Sequence, residues 1–199
     1  MTENNIYPHP DPIRRFAEVY AQAQKVTAPE PTAMVLATVS AEGRPSARVV
    51  LLKGFDHDGF VFFTNLESRK GRDLKTNPFA ALCFHWPPLE QQVRIEGRAV
   101  NVSDTEADAY FASRPRGSQI GAWASRQSQV LAAREELEAR VQSYEEKFAG
   151  EAVPRPPFWS GFRVIPERIE FWQSRVSRLH DRAVYMRQNG AWILEKLYP

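Results

Sequence analysis

The sequence predicts a mainly β protein with flanking helices, and three observations support this fold class. Short apolar or alternating segments bounded by turn residues recur along the chain, as β-strands do. Two segments have apolar residues at helical spacing instead. With 43% hydrophobic and 25% charged residues in 199, the composition is that of a folded globular protein. We expect a flexible, proline-rich N-terminal lead over residues 1–12 and a single domain over residues 13–199.

A helix is predicted directly after this lead. Asp11 can cap it, and Pro12 suits its first position because proline lacks the N–H that would be left unpaired there. The apolar residues expected on one face are Ile13, Phe16, Ala17, Tyr20 and Ala21. From Pro31 onwards the period becomes that of extended chain, which predicts an antiparallel meander. Its three strands cover residues 33–39, 47–53 and 60–64.

The middle of the chain alternates between segments with helical spacing of apolar residues and segments with the spacing of extended strands. A short helix is predicted over residues 68–76, ended by Asn77 and Pro78. Ser103 and Glu106 have the spacing of a capping box and open a helix that extends to about residue 112. Strands are predicted between these helices, at residues 79–86 and 91–102. Residues 113–126 are rich in Arg, Ser, Gly and Gln and show little periodicity.

The C-terminal part is predicted as one long helix followed by strands. The amphipathic helix covers residues 130–148, with Ala133, Leu137, Val141, Tyr144 and Phe148 on one stripe. The predicted strands are 161–165, 169–173, 183–187 and 191–197. Asn189 and Gly190 join the last two as a hairpin, since this pair favours the turn that matches the strand twist.

Charge and composition exclude several classes of protein. Lys and Arg number 26 against 24 Asp and Glu, and this near-neutral balance argues against a polybasic nucleic-acid binder. Apolar runs are far shorter than the ~20 residues of a membrane span, and the polar N-terminus lacks the apolar region of a signal peptide, so we expect a soluble cytoplasmic protein. The lone Cys83 lies in an apolar run, which favours a buried structural thiol. No metal site is expected, because the four histidines are far apart.

Common catalytic signatures are absent from the sequence. It contains no G-x-G-x-x-G dinucleotide fingerprint, no phosphate loop, no G-x-S-x-G nucleophile elbow and no H-E-x-x-H. Arginine nevertheless accounts for 20 of the 26 basic residues, and arginine suits the bidentate capture of phosphate or carboxylate. A GC-rich genome would explain the same excess of arginine. The positions of the arginines along the chain therefore have to distinguish anion binding from genome composition.

Three clusters place basic or polar side chains at strand ends. Arg48 and Lys53 flank an apolar strand and point to opposite faces if it is regular. The segment 64–70 runs from a strand into a helix start, where backbone N–H groups favour a phosphate; an ordinary capped helix with solvated bases is the alternative. Arg178, His180 and Arg182 share one face near Trp172, which favours an anion there, although a solvated edge strand would also explain the charges.

Several separated motifs resemble those of the pyridoxamine 5′-phosphate oxidase family, FMN enzymes that complete pyridoxal 5′-phosphate synthesis. They are RVVLLK at 48–53, TNLESRK at 64–70, YFASRPRGSQIGAW at 110–123, RQS at 126–128, FWSGFR at 158–163, FWQ at 171–173 and RLHDR at 178–182. The resemblance covers residues 31–199. It implies a split β-barrel of antiparallel Greek-key type and a homodimer with two FMN sites at the interface.

The resemblance also implies roles for individual residues. FMN would be held by Arg48, Val49, Val50, Leu51, Leu52, Lys53, Phe63, Thr64, Arg69, Lys70, Gln92, Gln127, Ser128, Trp172 and Arg182. The substrate phosphate would be held by Lys53, Tyr110, Arg114 and Ser118, and the pyridine ring by Arg178, Leu179 and His180. Arg178 and His180 would serve catalysis through orientation and charge stabilisation.

The implied reaction oxidises C4′ of pyridoxine or pyridoxamine 5′-phosphate, and O₂ then reoxidises the flavin with release of H₂O₂. The flavin supplies the difficult chemistry, so the protein has to orient the substrate. A flavin oxidase of the same fold acting on another metabolite, as in phenazine pathways, is the near alternative. A flavin-binding or pyridoxal-phosphate-carrying protein without turnover, and a plain structural domain, are the others.

Two departures from the family pattern stand out. Residues 174–177 begin with Ser174 where family members usually have glycine, at a loop that borders the implied site. The N-terminal lead also lacks the Arg-x-x-Tyr type of segment that covers the substrate in some members, so no lid residue is assigned.

Overall fold

The structure is a computed structural model that describes residues 9–26 and 30–199. In this part of the chain, nine strands form one antiparallel sheet. The strands are β1 (Ala33–Val39), β2 (Pro45–Leu51), β3 (Gly54–Asp56), β4 (Gly59–Asn65), β5 (Phe79–Trp86), β6 (Gln91–Asn101), β7 (Trp159–Gln173), β8 (Asp181–Gln188) and β9 (Ala191–Lys196). The helices are α1 (Pro12–Val26), α2 (Arg69–Thr76), α3 (Asp104–Ser113), α4 (Arg116–Ala124) and α5 (Arg134–Lys147).

The sheet curls on itself and divides at β7. Its strand order is β2-β1-β5-β6-β7-β4-β3, with β8 and β9 as a further branch. One edge of β7 pairs with β6, whereas the other edge pairs with β4 in its first half and with β8 in its second half. The backbone N–H of Lys53 donates to the carbonyl of Val61 at 2.8 Å, which brings the end of β2 back to β4. The predicted fold class, mainly β with flanking helices, is confirmed.

Helix α1 fills the inside of the curled sheet. Phe16 is fully buried and meets Phe55, Phe60 and Phe84 edge-on, with ring centroids 4.8, 4.9 and 5.1 Å apart. Such aromatic contacts add to the free energy gained by removing the rings from water. The Asp11 carboxylate accepts from the Ile13 backbone N–H at 2.9 Å, as the predicted cap requires.

The meander prediction is wrong. Strand β4 pairs with β7 and β3, so β2 and β4 are not neighbours in the strand order. The two strands predicted at 161–165 and 169–173 are one continuous strand, β7, whose register with β6 shifts between Glu96 and Gly97. A Cβ on Gly97 would lie 2.0 Å from the Ile165 carbonyl oxygen, so this close approach of two backbones requires glycine.

Four smaller expectations are corrected. Ala21 is exposed, and the buried face of α1 instead includes Val19 and Ala23. Residues 113–126 contain the helix α4, which their weak periodicity did not indicate. Helix α5 begins at Arg134, after an exposed Ala133. Cys83 is half-buried, because its strand β5 presents it on the outer face of the sheet between two core residues.

The division into a lead and one domain stays a prediction, and residues 1–8 of the lead lie outside the described residues. The described part of the lead contacts the fold, since the Tyr185 hydroxyl donates to the His9 carbonyl at 2.7 Å. Within residues 9–26 and 30–199, no helix has both the length and the apolar character needed to cross a membrane.

Candidate functional site

A cavity of about 330 Å³ opens where the ends of β2 and β4 meet helices α3 and α4. Its lining residues are Val49, Val50, Leu51, Lys53, Phe63, Thr64, Asn65, Lys70, Tyr110, Arg114, Gly121, Ala122, Ser125, Gln127 and Trp159. Three of these side chains are cationic and none is a carboxylate. Because like charges repel unless an anion lies between them, this lining favours an anionic ligand.

Lys70 is held at the start of α2. Ser68 caps the helix, with its hydroxyl accepting from the Gly71 N–H, and this fixes the first turn that carries Lys70. The ammonium of Lys70 donates to Gln127 Oε1 at 2.8 Å, and the Thr64 hydroxyl donates to the same oxygen at 3.2 Å. Burial, together with the nearby charge of Arg48, lowers the pKa of Lys70 to about 8. Lys70 is therefore a charged donor at neutral pH and loses its proton under mildly alkaline conditions.

The loop after α4 is fastened to the same region. Ser128 has a left-handed backbone with φ of 72°, and its hydroxyl accepts from the Arg69 backbone N–H at 3.2 Å. A non-glycine residue in this conformation is strained and persists only where the surroundings enforce it. The hydrogen bonds of Gln127 and Ser128 thus hold the loop against the N-terminus of α2.

Arg48 lies behind the cavity lining. Its guanidinium donates to Thr38 Oγ1 at 2.8 Å and to Ser46 Oγ at 2.7 Å, and lies 3.9 Å from the Asp73 carboxylate. Burial lowers the pKa of Arg48, and the charge of Asp73 opposes this shift. Leu52 is buried in the hydrophobic core, so its side chain does not belong to the cavity.

The other end of the cavity is aromatic. Phe63 and Tyr110 stack with ring centroids 4.0 Å apart, and Trp159 stacks on Phe63 at 5.4 Å. The Arg114 guanidinium lies over the Trp159 ring, 4.9 Å from its centroid. The motifs assigned Trp159 no role, although the motif that contains it, FWSGFR, was identified; the signal for Trp159 was the aromatic pair one residue before the glycine.

A second group of the predicted residues, here called the outer cluster, lies along β6, β7 and β8. Register places Trp172 between Gln92 and Arg182. The His180 ring lies 4.5 Å from the Trp172 ring, and His180 Nδ1 accepts from the Arg175 backbone N–H at 3.2 Å. A neutral His180 therefore carries its proton on Nε2, where it can donate to a ligand.

The loop that carries Arg178 is strained. Ser177 and Arg178 have left-handed backbones, with φ of 58° and 62°. Ser174, at the position where the family usually has glycine, is not left-handed, and its N–H donates to the Glu90 carbonyl at 2.9 Å. Serine therefore fits at this position without the conformational freedom of glycine.

A buried carboxylate anchors the outer cluster. Glu170 is 1% exposed and accepts from Arg182 Nε at 2.8 Å and from Arg168 at 2.7 Å, while Arg94 lies 3.6 Å away. Burial raises the pKa of Glu170, but the hydrogen bonds from Arg182 and Arg168 outweigh it and hold the pKa below its ordinary value. Glu170 thus neutralises Arg182 within the chain.

The structure brings most of the predicted site residues into these two groups. The cavity lining contains Val49, Val50, Leu51, Lys53, Phe63, Thr64, Lys70, Tyr110, Arg114 and Gln127, and Arg48, Arg69 and Ser128 adjoin it. The outer cluster contains Gln92, Trp172, Arg178, Leu179, His180 and Arg182. Ser118 is exposed on the first turn of α4 and does not line the cavity.

Fold and cavity together define a β protein that binds anionic ligands, and comparison with known proteins narrows this class. Residues 21–148 match the family described as pyridoxamine 5′-phosphate oxidase. Residues 159–199 match the pyridoxine 5′-phosphate oxidase C-terminal dimerisation region. The chain belongs to the pyridoxamine 5′-phosphate oxidase family.

Curated relatives are similar along nearly their whole length. A protein of Myxococcus xanthus named pyridoxine/pyridoxamine 5′-phosphate oxidase is 65% identical over 96% of this chain and 92% of its own. A protein of the same name from Rubrobacter xylanophilus is 58% identical over 96% of this chain and 88% of its own length. Among solved structures, PhzG from Burkholderia lata, in complex with tetrahydrophenazine-1-carboxylic acid, has a TM-score of 0.93 at 34% identity, covering 100% of this chain and 98% of that one.

A more distant structure shows the fold alone. The FMN-binding protein of Nostoc punctiforme, related to pyridoxamine 5′-phosphate oxidase, has a TM-score of 0.76 at 18% identity and covers 96% of this chain and 100% of that one.

Proposed function

We propose that this protein is an FMN-dependent oxidase that converts pyridoxine or pyridoxamine 5′-phosphate to pyridoxal 5′-phosphate, with O₂ reduced to H₂O₂. The observation that carries the proposal is the cavity lined by Lys53, Lys70 and Arg114 without a carboxylate. Relatives that share 58% to 65% of its residues bear the name of this oxidase, which supports the same substrates here.

The donors around the start of α2 fit the phosphate of FMN. Arg69 and Lys70 supply charge, and Thr64, Gln127 and Ser128 supply hydrogen-bonding side chains within one connected group. Arg48, Val49, Val50, Leu51, Leu52, Lys53 and Phe63 would complete the binding segment from one protomer, and Gln92, Trp172 and Arg182 belong to the same proposal. When bound, FMN takes up the two electrons of the oxidation and passes them to O₂.

The protein's own residues bind and orient the substrate. Lys53, Tyr110, Arg114 and Ser118 would hold its phosphate. Arg178, Leu179 and His180 would hold the pyridine ring, with the Nε2 proton of His180 available to a ring substituent. Arg178 and His180 then act by fixing C4′ and by stabilising charge, since correct orientation is a large part of the rate enhancement that the chain itself can provide.

A homodimer would bring the two groups of residues together. Trp159 and Trp172 begin and nearly end the same strand, and thirteen residues of extended chain span roughly 40 Å along the strand, more than one small ligand covers. Apart from Gln92, the outer cluster also lies within the stretch that matches a dimerisation region. Val35 and Val49 are exposed and paired on the outer face of β1 and β2, as expected for an apolar surface that a second copy covers.

An anaerobic titration tests the proposal. The purified protein is loaded with FMN and its flavin absorbance is followed while pyridoxine 5′-phosphate is added. We expect bleaching together with formation of pyridoxal 5′-phosphate, then recovery of the absorbance and release of H₂O₂ when O₂ is admitted. Pyridoxine without phosphate serves as the control and should bleach the flavin far more slowly, because the cations have no anion to hold. A flavin that stays oxidised with all B6 phosphates contradicts the proposal.

The similarity to PhzG supports one second candidate, an oxidase of reduced phenazine-like metabolites. The two candidates differ in the ligand that the cavity cations would bind. Bleaching by a reduced tricyclic carboxylate, without a response to pyridoxine 5′-phosphate, would favour this candidate. A cytoplasmic location stays a prediction of the sequence.

A further inference from the structure

Arg114 is a charge without a counter-ion. Its Nη1 is buried and has no hydrogen-bond partner, and within residues 9–26 and 30–199 it makes no ion pair with a carboxylate. Burial lowers the pKa of Arg114, although the guanidinium stays protonated at any physiological pH. A buried donor left unpaired costs free energy, and such a cost is tolerated where a ligand later supplies the acceptor.

Aromatic rings hold this guanidinium in place. It lies 4.9 Å from the centroid of Trp159 and 5.6 Å from that of Phe111, and these two rings meet edge-on at 5.1 Å. Trp159 is 6% exposed and Phe111 is 2% exposed, so the guanidinium rests on a fixed, dry surface. Tryptophan has the most favourable ring face for a cation.

Other arginines of the chain are held differently. Arg155 donates to Asp104 and Asp108, and Arg163 donates to Asp56 and Glu106. A carboxylate fixes a guanidinium but also neutralises it and occupies its donors. An aromatic face fixes the group while leaving its charge and its N–H edge available to an incoming anion.

The tryptophan is itself fixed from behind. Arg155 donates to the Trp159 carbonyl at 2.8 Å while its other nitrogens bind two carboxylates of α3, the helix that precedes Arg114. On the adjoining strand β4, Phe63 lies opposite Gly161 of β7, and a Cβ at Gly161 would come within 2.7 Å of the Phe63 ring. Glycine at this position therefore permits the Phe63 ring to stack on Trp159.

We infer that Trp159 is a positioning residue, which holds the Arg114 guanidinium over its indole face so that this cation, which lines the cavity and has no carboxylate partner, binds the substrate phosphate. The inference rests on the proposed substrate site and adds to it a residue that determines the preference for phosphorylated substrates. It predicts that Trp159 matters for binding only through Arg114.

A double-mutant cycle tests this coupling in the FMN-loaded protein. Trp159→Leu should raise KM for pyridoxine 5′-phosphate about tenfold with little change in kcat, as expected for the loss of a desolvated cation–π contact. In the Arg114→Ala background, the same substitution should leave KM unchanged. Trp159→Phe keeps a smaller ring face and should give an intermediate KM, which keeps the test informative where the leucine variant folds poorly.

Direct binding gives a readout that does not depend on turnover. The affinity of each variant for pyridoxal 5′-phosphate and for pyridoxal is measured by equilibrium dialysis. Trp159→Leu should weaken binding of the phosphorylated compound about tenfold and leave pyridoxal binding unchanged. Trp123→Leu is the matched control, because Trp123 packs on Tyr144 and Phe148 and should lower the melting temperature without this selectivity.

The outcomes separate the inference from the proposed function. An equal rise in KM with and without Arg114, or an equal loss of pyridoxal binding, would overturn the positioning role and leave the site intact. An Arg114→Ala variant with unchanged KM would instead overturn the substrate site on which the inference rests.

Discussion

The cations of the cavity and Arg182 of the outer cluster differ in whether the chain supplies them with a carboxylate partner. In the outer cluster, Glu170 lies among three arginines, each within 3.6 Å of its carboxylate. In the cavity, Lys53, Lys70 and Arg114 line the space with no carboxylate among them. A basic residue of a sequence motif can therefore be neutralised within the chain or left available to an anionic ligand, and the structure distinguishes the two cases. Four predictions test this contrast, starting with the largest effect.

Removal of the buried anion should strongly destabilise the protein. Glu170→Gln removes the buried carboxylate that contacts three guanidinium groups and leaves Arg182 without its acidic partner, and breaking a buried ion pair in this way costs about 3–5 kcal/mol. Urea unfolding at fixed protein concentration measures the loss. Glu96→Gln is the matched control, since Glu96 contacts Arg94 and Arg168 but is 37% exposed and should cost less than about 1 kcal/mol. Equal losses would show that burial of Glu170 does not matter.

Loss of Arg114 should affect the substrate and not the fold. Arg114→Ala removes charge-assisted hydrogen bonds worth about 1.5–3 kcal/mol, so kcat/KM for pyridoxine 5′-phosphate should fall roughly tenfold to 150-fold with FMN still bound. Steady-state kinetics and flavin fluorescence measure the two effects. Arg187→Ala is the control, because Arg187 lies over Trp192 at 5.8 Å but is exposed on β8. If the Arg114 variant loses FMN and the Arg187 variant does not, Arg114 belongs to the FMN site and not to the substrate site.

Binding of FMN should weaken as pH rises past the pKa of Lys70. Burial lowers this pKa to about 8, so the free ammonium becomes neutral above it. A phosphate dianion favours the charged form and raises the pKa in the complex, so affinity should fall by up to about tenfold per pH unit between the two values. Fluorescence titration of FMN measures this slope. Lys70→Arg should give a flatter profile, since arginine stays charged; the same slope in both proteins would exclude Lys70 as its cause.

The smallest expected effect is that of Lys70→Met, which should stabilise the protein, whereas Glu170→Gln should destabilise it. Lys70→Met removes a partly buried ammonium that faces other cations, and Thr64 still donates to Gln127 afterwards. The FMN-free protein should therefore be more stable by about 0.5–1 kcal/mol, as found where a functional group is kept at the expense of stability. Unfolding at pH 7 without FMN measures the difference. A variant less stable than the parent would mean that Lys70 supports the fold.

Elements that depend on local sequence pattern could be predicted from the sequence. Strand pairings between segments that are distant in the sequence could not. Strands β1 and β5 and the cap at Asp11 follow from alternation and turn chemistry, and the structure has them as predicted. The pairing of β4 with β7 joins residues about a hundred positions apart, and no local pattern encodes such a contact. Helix α4 was missed because glycine and serine weaken its pattern, while burial of Ile120 and the bond from Gln119 to the Phe111 carbonyl stabilise it.

The site residues divide in the same way. The motifs and their family resemblance named both groups, and the structure places them at the cavity and the outer cluster. The sequence could not show which cations have acidic partners. Arg155 contacts Asp104 and Asp108, which lie 51 and 47 positions away in the sequence, whereas Arg114 contacts the indole ring of Trp159.

Strand β7 has a genetic consequence. It carries Trp159 at the cavity and Trp172 at the outer cluster, so in the proposed homodimer the two halves of one site come from different protomers, which two alleles can encode separately. An allele with Arg114→Ala and an allele with Arg178→Ala would each impair every site of the dimer when expressed alone. Random pairing of the two products makes half of the dimers hybrids, and each hybrid contains one intact site, so about a quarter of the wild-type activity should return. Two defective alleles would then complement each other.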